Sequence, residues 1–163
     1  MTRPQSTMLM GDDIRQPRRT DTARAWSAVL ADLPFFSTVP KRHVRKIAGL
    51  TREARFSPGT SIVRKGERGD DFFVILEGEA SIVRGSGLPA IRIGPGAYFG
   101  EMSLIDGGER SATVVAKTDM LCLRLSRPPF LKMLRSEPEI TLSLLREFTS
   151  RLREMQARAH LTA

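Results

Sequence analysis

Apolar residues change their spacing at several points along the chain, and the changes divide it. Residues 1–23 are polar, carry Pro4, Gly11 and Pro17, and show no sustained periodicity, which predicts a flexible tail. From Ala25, "AWSAVLADLPFF" spaces Trp26, Val29, Leu30 and Leu33 along one helical face, and Pro34 stops it. The next segment, "KRHVRKIAGL", sets Val44, Ile47 and Ala48 on a second short helix. Trp26 reads as the core anchor for both.

Between about residues 55 and 126 the pattern shortens to strand-like runs, "TSIVRK", "DFFVILEG", "EASIVRG", "AIRIG" and "MLCLRL", separated by closely spaced glycines. Such punctuation suits a compact antiparallel sandwich or barrel. "SRPPFLKMLRSEP" then predicts a short helix behind a Ser cap and a Pro pair, closed by Pro138. The last segment, "EITLSLLREFTSRLREMQARAHL", has the strongest helical pattern, with Leu145, Phe148, Leu152 and Met155 on one stripe that Ile140, Leu142 and Leu144 widen near its start. The barrel, a second copy of the helix, or both would cover that stripe.

The reading is therefore a tail (1–23) and one domain (24–163), with helices at 25–50, a barrel at 55–126 and C-terminal helices at 127–160. A length of 163 residues supports a single core without metal or disulfide. The lone Cys122 excludes a disulfide framework, and its apolar run predicts a buried strand thiol. No signal-like or membrane-spanning apolar stretch is apparent, so the expected location is the cytoplasm. The net charge of +8 invites an anionic partner, but the basic residues are dispersed and lack interleaved aromatics, which argues against nucleic acid. His43 and His160 read as surface residues. Ser103 and Ser111 have no histidine base nearby and no nucleophile elbow, so no enzymatic activity is expected.

The stretch "YFGEMSLIDGGERSATV" carries the candidate chemistry. An inserted "FGEMSL" turn offers a helix N-terminus whose amides suit an anion, and Gly100 permits close approach. Arg110 supplies a planar fork matched to a phosphate diester, while Glu101 accepts hydrogen bonds from a sugar hydroxyl. Together they suit a nucleotide with a single phosphate charge, since a triphosphate would repel the carboxylate. The competing explanation is an internal Glu101–Arg110 ion pair that merely steadies the loop.

"FGEMSLI" followed by "ERSATV" resembles the phosphate-binding cassette of the cyclic-nucleotide-binding domain family, and the likeness extends over about residues 33–158. The resemblance implies an eight-stranded antiparallel jelly-roll-like β-barrel with short helices before it and a long terminal helix after it. It assigns Arg110 to the exocyclic phosphate oxygens, Glu101 to the ribose 2′-hydroxyl, and the amides of Gly100, Met102, Ser103 and Ala112 to the ring. Ser111 matches a position whose hydroxyl reaches the phosphate or a guanine amino group; threonine there favours cGMP, and serine leaves the choice open, with the expectation leaning to cAMP. Ile82 and Ala90 would line the base from the barrel. By the same likeness, Met155 and Gln156 on the terminal helix would meet the base, with Gln156 reaching toward a partner subunit's ligand.

The sequence closes shortly after that helix, leaving no room for a helix-turn-helix. The expectation is thus a stand-alone cyclic nucleotide receptor domain, without cofactor or metal, whose ligand moves the C-terminal helix. Its output would pass through an unidentified protein partner or through self-association. The alternative is an interaction or dimerisation module of the same fold that needs no nucleotide.

Overall fold

The structure, a computed structural model, describes residues 19–161. Eight strands form its centre: β1 (Arg52–Phe56), β2 (Ser61–Val63), β3 (Asp71–Glu77), β4 (Ala80–Val83), β5 (Ile91–Ile93), β6 (Tyr98–Phe99), β7 (Thr113–Ala116) and β8 (Met120–Ser126). They make two antiparallel sheets, ordered β1-β8-β3-β6 and β2-β7-β4-β5. First strand beside last and second beside seventh is the winding of a jelly roll, as expected. Five helices flank the sheets: α1 (Arg19–Ala31), α2 (Lys41–Ala48), α3 (Glu101–Asp106), α4 (Arg127–Ser136) and α5 (Pro138–Leu161). The helix expected from Ala25 begins at Arg19, inside the segment read as tail; residues 1–18 of that tail lie outside the described residues.

Strands β3 and β8 are apolar on both faces, and the reason lies in what covers them. Phe73 and Ile75 of β3, with Met120 and Cys122 of β8, pack between the sheets against Val63, Val114 and Ala116. Phe72 and Val74, with Leu123 and Leu125, face the other way onto the helices. There they meet Leu30 and Leu33, Val44 and Ile47 of α2, Phe130 of α4, and Ile140 and Leu144 of α5. Phe36 sets its ring edge-on to Phe72, with centroids 6.5 Å apart. Each such fully buried side chain contributes about 1.5–3 kcal/mol relative to exposure. Trp26 packs partly buried against the same cluster.

Three local expectations are corrected. His43 is buried on the inner face of α2 beside Val44 and Ile47, with Nε2 3.5 Å from Glu139 of α5; it stands one turn before Ile47 and shares that residue's face. The side chain of His160 lies outside the described residues. Ser126 holds the N-cap position of α4 without capping it, because its hydroxyl donates to Asp71 Oδ1 at 2.7 Å. On α5 the stripe Leu145, Leu152 and Met155 is exposed, and the inward row is Ile140, Leu144 and Glu147 with Phe148 partly buried. The barrel thus covers Ile140, Leu144 and Phe148 of the expected stripe but not its distal leucine and methionine, and a carboxylate completes the inward row. Glu147 accepts hydrogen bonds from Thr38 Oγ1 at 2.5 Å and Ser37 Oγ at 3.3 Å, which makes its burial tolerable.

Candidate functional site

β6 passes into α3 through Gly100, which has φ 86° and ψ 11°, a left-handed conformation that side chains resist. Space excludes them as well: a Cβ would lie 2.5 Å from the Asp71 carbonyl oxygen and 2.6 Å from Arg110 Nη1. The Leu104 N–H donates to the Gly100 carbonyl at 3.2 Å, so the amides of Glu101, Met102 and Ser103 precede the helical ladder. A half-dozen residues later the chain leaves α3 through Gly107, also left-handed.

Arg110 approaches the same place from the loop before β7. Its N–H donates to the Glu67 carbonyl at 2.8 Å and its carbonyl accepts from the Gly66 N–H at 2.9 Å. Its Nη1 donates to the Asp71 carbonyl at 2.8 Å. Gly69 flanks the guanidinium so closely that a Cβ there would overlap Nε, Cζ and Nη2. The side chain is thus threaded through a cradle of backbone and is 8% exposed. Burial pulls its pKa below the ordinary arginine value, opposed by the charges of Asp71, Asp70 and Glu101. Arginine nonetheless stays cationic.

Glu101 is half-buried and lines the same cleft. Among the described residues it makes no ion pair with Arg110, which is held by a carbonyl instead. An acid and a guanidinium therefore share one cleft with their polar ends uncommitted to each other.

Of the residues singled out in the sequence, Gly100, Glu101, Met102, Ser103, Arg110, Ser111, Ala112 and Ile82 line this cleft together. Ala90, Met155 and Gln156 do not. Ala90 is exposed in the loop between β4 and β5, and Met155 and Gln156 are exposed on the distal part of α5. The cleft also takes in Tyr98, Phe99, Val63, Val114 and Glu109. Val63 and Val114 were readable as inward strand positions. Gly69 and the Asp71 carbonyl were not, because "GERGDD" gives no sign that its backbone cradles a residue some forty positions away.

Tyr98 connects the cleft to the terminal helix. Arg151 of α5 donates from Nη2 to the Tyr98 hydroxyl and places its guanidinium 5.5 Å from the ring centroid. The Arg151 Nε lies 3.6 Å from Glu147 Oε1, and Glu147 is the carboxylate held by Ser37 and Thr38. A polar chain thus runs from the cleft wall through α5 to the segment before α2. Among the described residues no group of His, Cys, Asp and Glu could hold a metal ion.

Residues 53–137 match the family described as Cyclic nucleotide-binding domain. A cyclic nucleotide-gated potassium channel of Mesorhizobium japonicum is 37% identical over 126 residues, covering 77% of this chain and 34% of the channel. The chain therefore spans about a third of that relative's length. The N-terminal domain of a transcriptional regulator from Streptomyces coelicolor superposes with a TM-score of 0.71 at 28% identity, over 80% of this chain and 94% of that one. The regulatory domain of Toxoplasma gondii PKA, solved with cAMP, gives a TM-score of 0.64 at 27% identity, over 83% of this chain and 51% of that one.

Proposed function

The chain belongs to the cyclic nucleotide-binding domain family, and from that premise we propose that its cleft receives a cyclic nucleotide, cAMP in preference to cGMP, and passes the event to α5. The observation that carries this reading is the unpaired coexistence of Glu101 and Arg110 in one cleft. The guanidinium meets the cyclic phosphate, and the amides that open α3 add their partial positive charge to the same anion. The Glu101 carboxylate accepts the ribose 2′-hydroxyl. Met102, Ser103 and Ala112 seat the ring through their amides, and Ile82 packs on the base.

The preference for adenine rests on serine at position 111, where the family resemblance associates threonine with cGMP. Two features support the coupling to α5. Tyr98 lines the cleft and is bonded to Arg151, so a ligand that shifts one shifts the other. The distal helix carries Met155 and Gln156 in the open, available to close on the base. Binding energy is then divided between holding the ligand and moving the helix. The reading is one of recognition and relay, with no chemical step, and the output goes to a partner or to a second copy.

Isothermal calorimetry with cAMP and cGMP tests it, run on the wild type and on Arg110→Ala. One nucleotide should bind with micromolar or better affinity, and the variant should lose about 2–5 kcal/mol as one half of a desolvated charge pair is removed. Undiminished binding by the variant would remove Arg110 from the site. Binding of neither nucleotide would leave the nucleotide-independent interaction module as the better reading.

A further inference from the structure

α5 has a second row that the barrel does not cover. Leu142, Leu145 and Leu152 are 49, 57 and 56% exposed, and Thr149 stands between the second and third. These four residues fall three, four and three positions apart, the alternation of a two-helix seam. Arg146 and Arg153 border the groove on one side only.

The borders decide what can cover the row. With Leu142 at a and Leu145 at d, Arg146 and Arg153 occupy successive e positions, and Phe148 and Met155 occupy g. A parallel pair of α5 helices would set Arg146 beside Thr141 and Arg153 beside Phe148 of the other copy, with no acid to meet either. An antiparallel pair that matches the whole seam would set Arg146 against Arg146, and only Arg153 would meet an acid, Glu139, which already bonds Arg42. The other carboxylates of the helix lie off the row: Glu147 is buried, and Glu154 repeats the position of Glu147 one heptad on. Among the described residues no carboxylate comes within 4.0 Å of Arg146 or Arg153. A lipid surface fits poorly too, since a membrane-lying helix carries cations along both borders of its apolar face.

We propose that this row docks an acidic amphipathic helix of a partner protein, with leucine-like residues in the seam and Asp or Glu beside Arg146 and Arg153. The proposal does not depend on nucleotide in the cleft.

The test uses the full chain and two synthetic helical peptides of about four heptads, each with Leu at a and d, one with Glu and the other with Lys at e and g. By fluorescence anisotropy the Glu peptide should bind at least about tenfold more tightly than the Lys peptide. The Arg146→Glu/Arg153→Glu variant should reverse that order. Both arginines are exposed, and far-UV circular dichroism checks that the variant is folded. Sedimentation velocity should find the chain alone monomeric at tens of micromolar. A dimer abolished by Leu145→Asp would assign the row to a second copy and overturn the proposal. So would equal binding of the two peptides, binding of neither, or arginine-dependent binding to phosphatidylserine vesicles without binding of either peptide.

Discussion

Replacing Gly69 by alanine should disable the cleft without replacing any residue that lines it. The glycine's φ lies outside the left-handed region, so alanine is acceptable to the backbone. Its methyl group, however, would occupy the volume of the Arg110 guanidinium. The guanidinium is the movable party and must withdraw, giving up its 2.8 Å bond to the Asp71 carbonyl. Losing that charge-assisted bond costs about 1.5–3 kcal/mol of stability. The lower chain entropy of alanine in the unfolded state returns about 0.4–1 kcal/mol. A net loss of about 1–2 kcal/mol would lower Tm by roughly 2–8 °C in a domain of this size. Ligand affinity should suffer more, by about 2–4 kcal/mol, or roughly thirty- to several-hundred-fold in Kd, because the phosphate loses a positioned partner. Calorimetry on wild type, Gly69→Ala, Arg110→Ala and the double variant separates the effects. If Gly69 acts through Arg110, the double variant should bind no worse than Arg110→Ala alone. A Gly69→Ala protein with Kd within about twofold of wild type, alongside a disabled Arg110→Ala, would refute the cradle.

Glu101→Gln should weaken cyclic nucleotide binding by about 1.5–3 kcal/mol, and 2′-deoxy-cAMP should bind the wild type and the variant alike. Tyr98→Phe removes the acceptor of Arg151; hydrogen exchange should quicken in α5 beyond residue 147 in the unliganded chain and stay unchanged in β3 and β8. Burial pushes the Cys122 thiol up to about 11, above the unfolded thiol. Its contribution to stability is therefore complete below the unfolded pKa and declines as pH rises toward 11. The denaturation midpoint should accordingly fall more steeply over that alkaline range in the wild type than in Cys122→Ala.

The cassette was the most legible part of the sequence because its chemistry is local: a glycine turn, an acid and a guanidinium within a dozen residues. β3 and β8 were legible as strands from their apolar runs, although their burial on both faces hid the alternation that would have told inward from outward positions. β1 was not among the strand-like runs, since "REARF" is an edge strand with three of its five residues exposed. β6 has only two residues and offers no pattern to read. Which part of the α5 stripe faces the barrel was not legible, because the inward row is completed by Glu147, whose burial depends on hydroxyls more than a hundred positions away. Long-range polar partners, like the backbone around Arg110, leave no trace in local periodicity.

The Asp71 carbonyl that anchors Arg110 belongs to the first residue of β3, the strand packed on both faces. The opposite wall of the cleft is α3, one and a half turns of helix between two left-handed glycines. The site is therefore built like a vise with one jaw cast into the frame and the other on a hinge. On the proposed reading, a ligand that tightens it would move α3 against the frame, while Tyr98, paired to β3 through β6, keeps the Arg151 contact with α5 on the frame side.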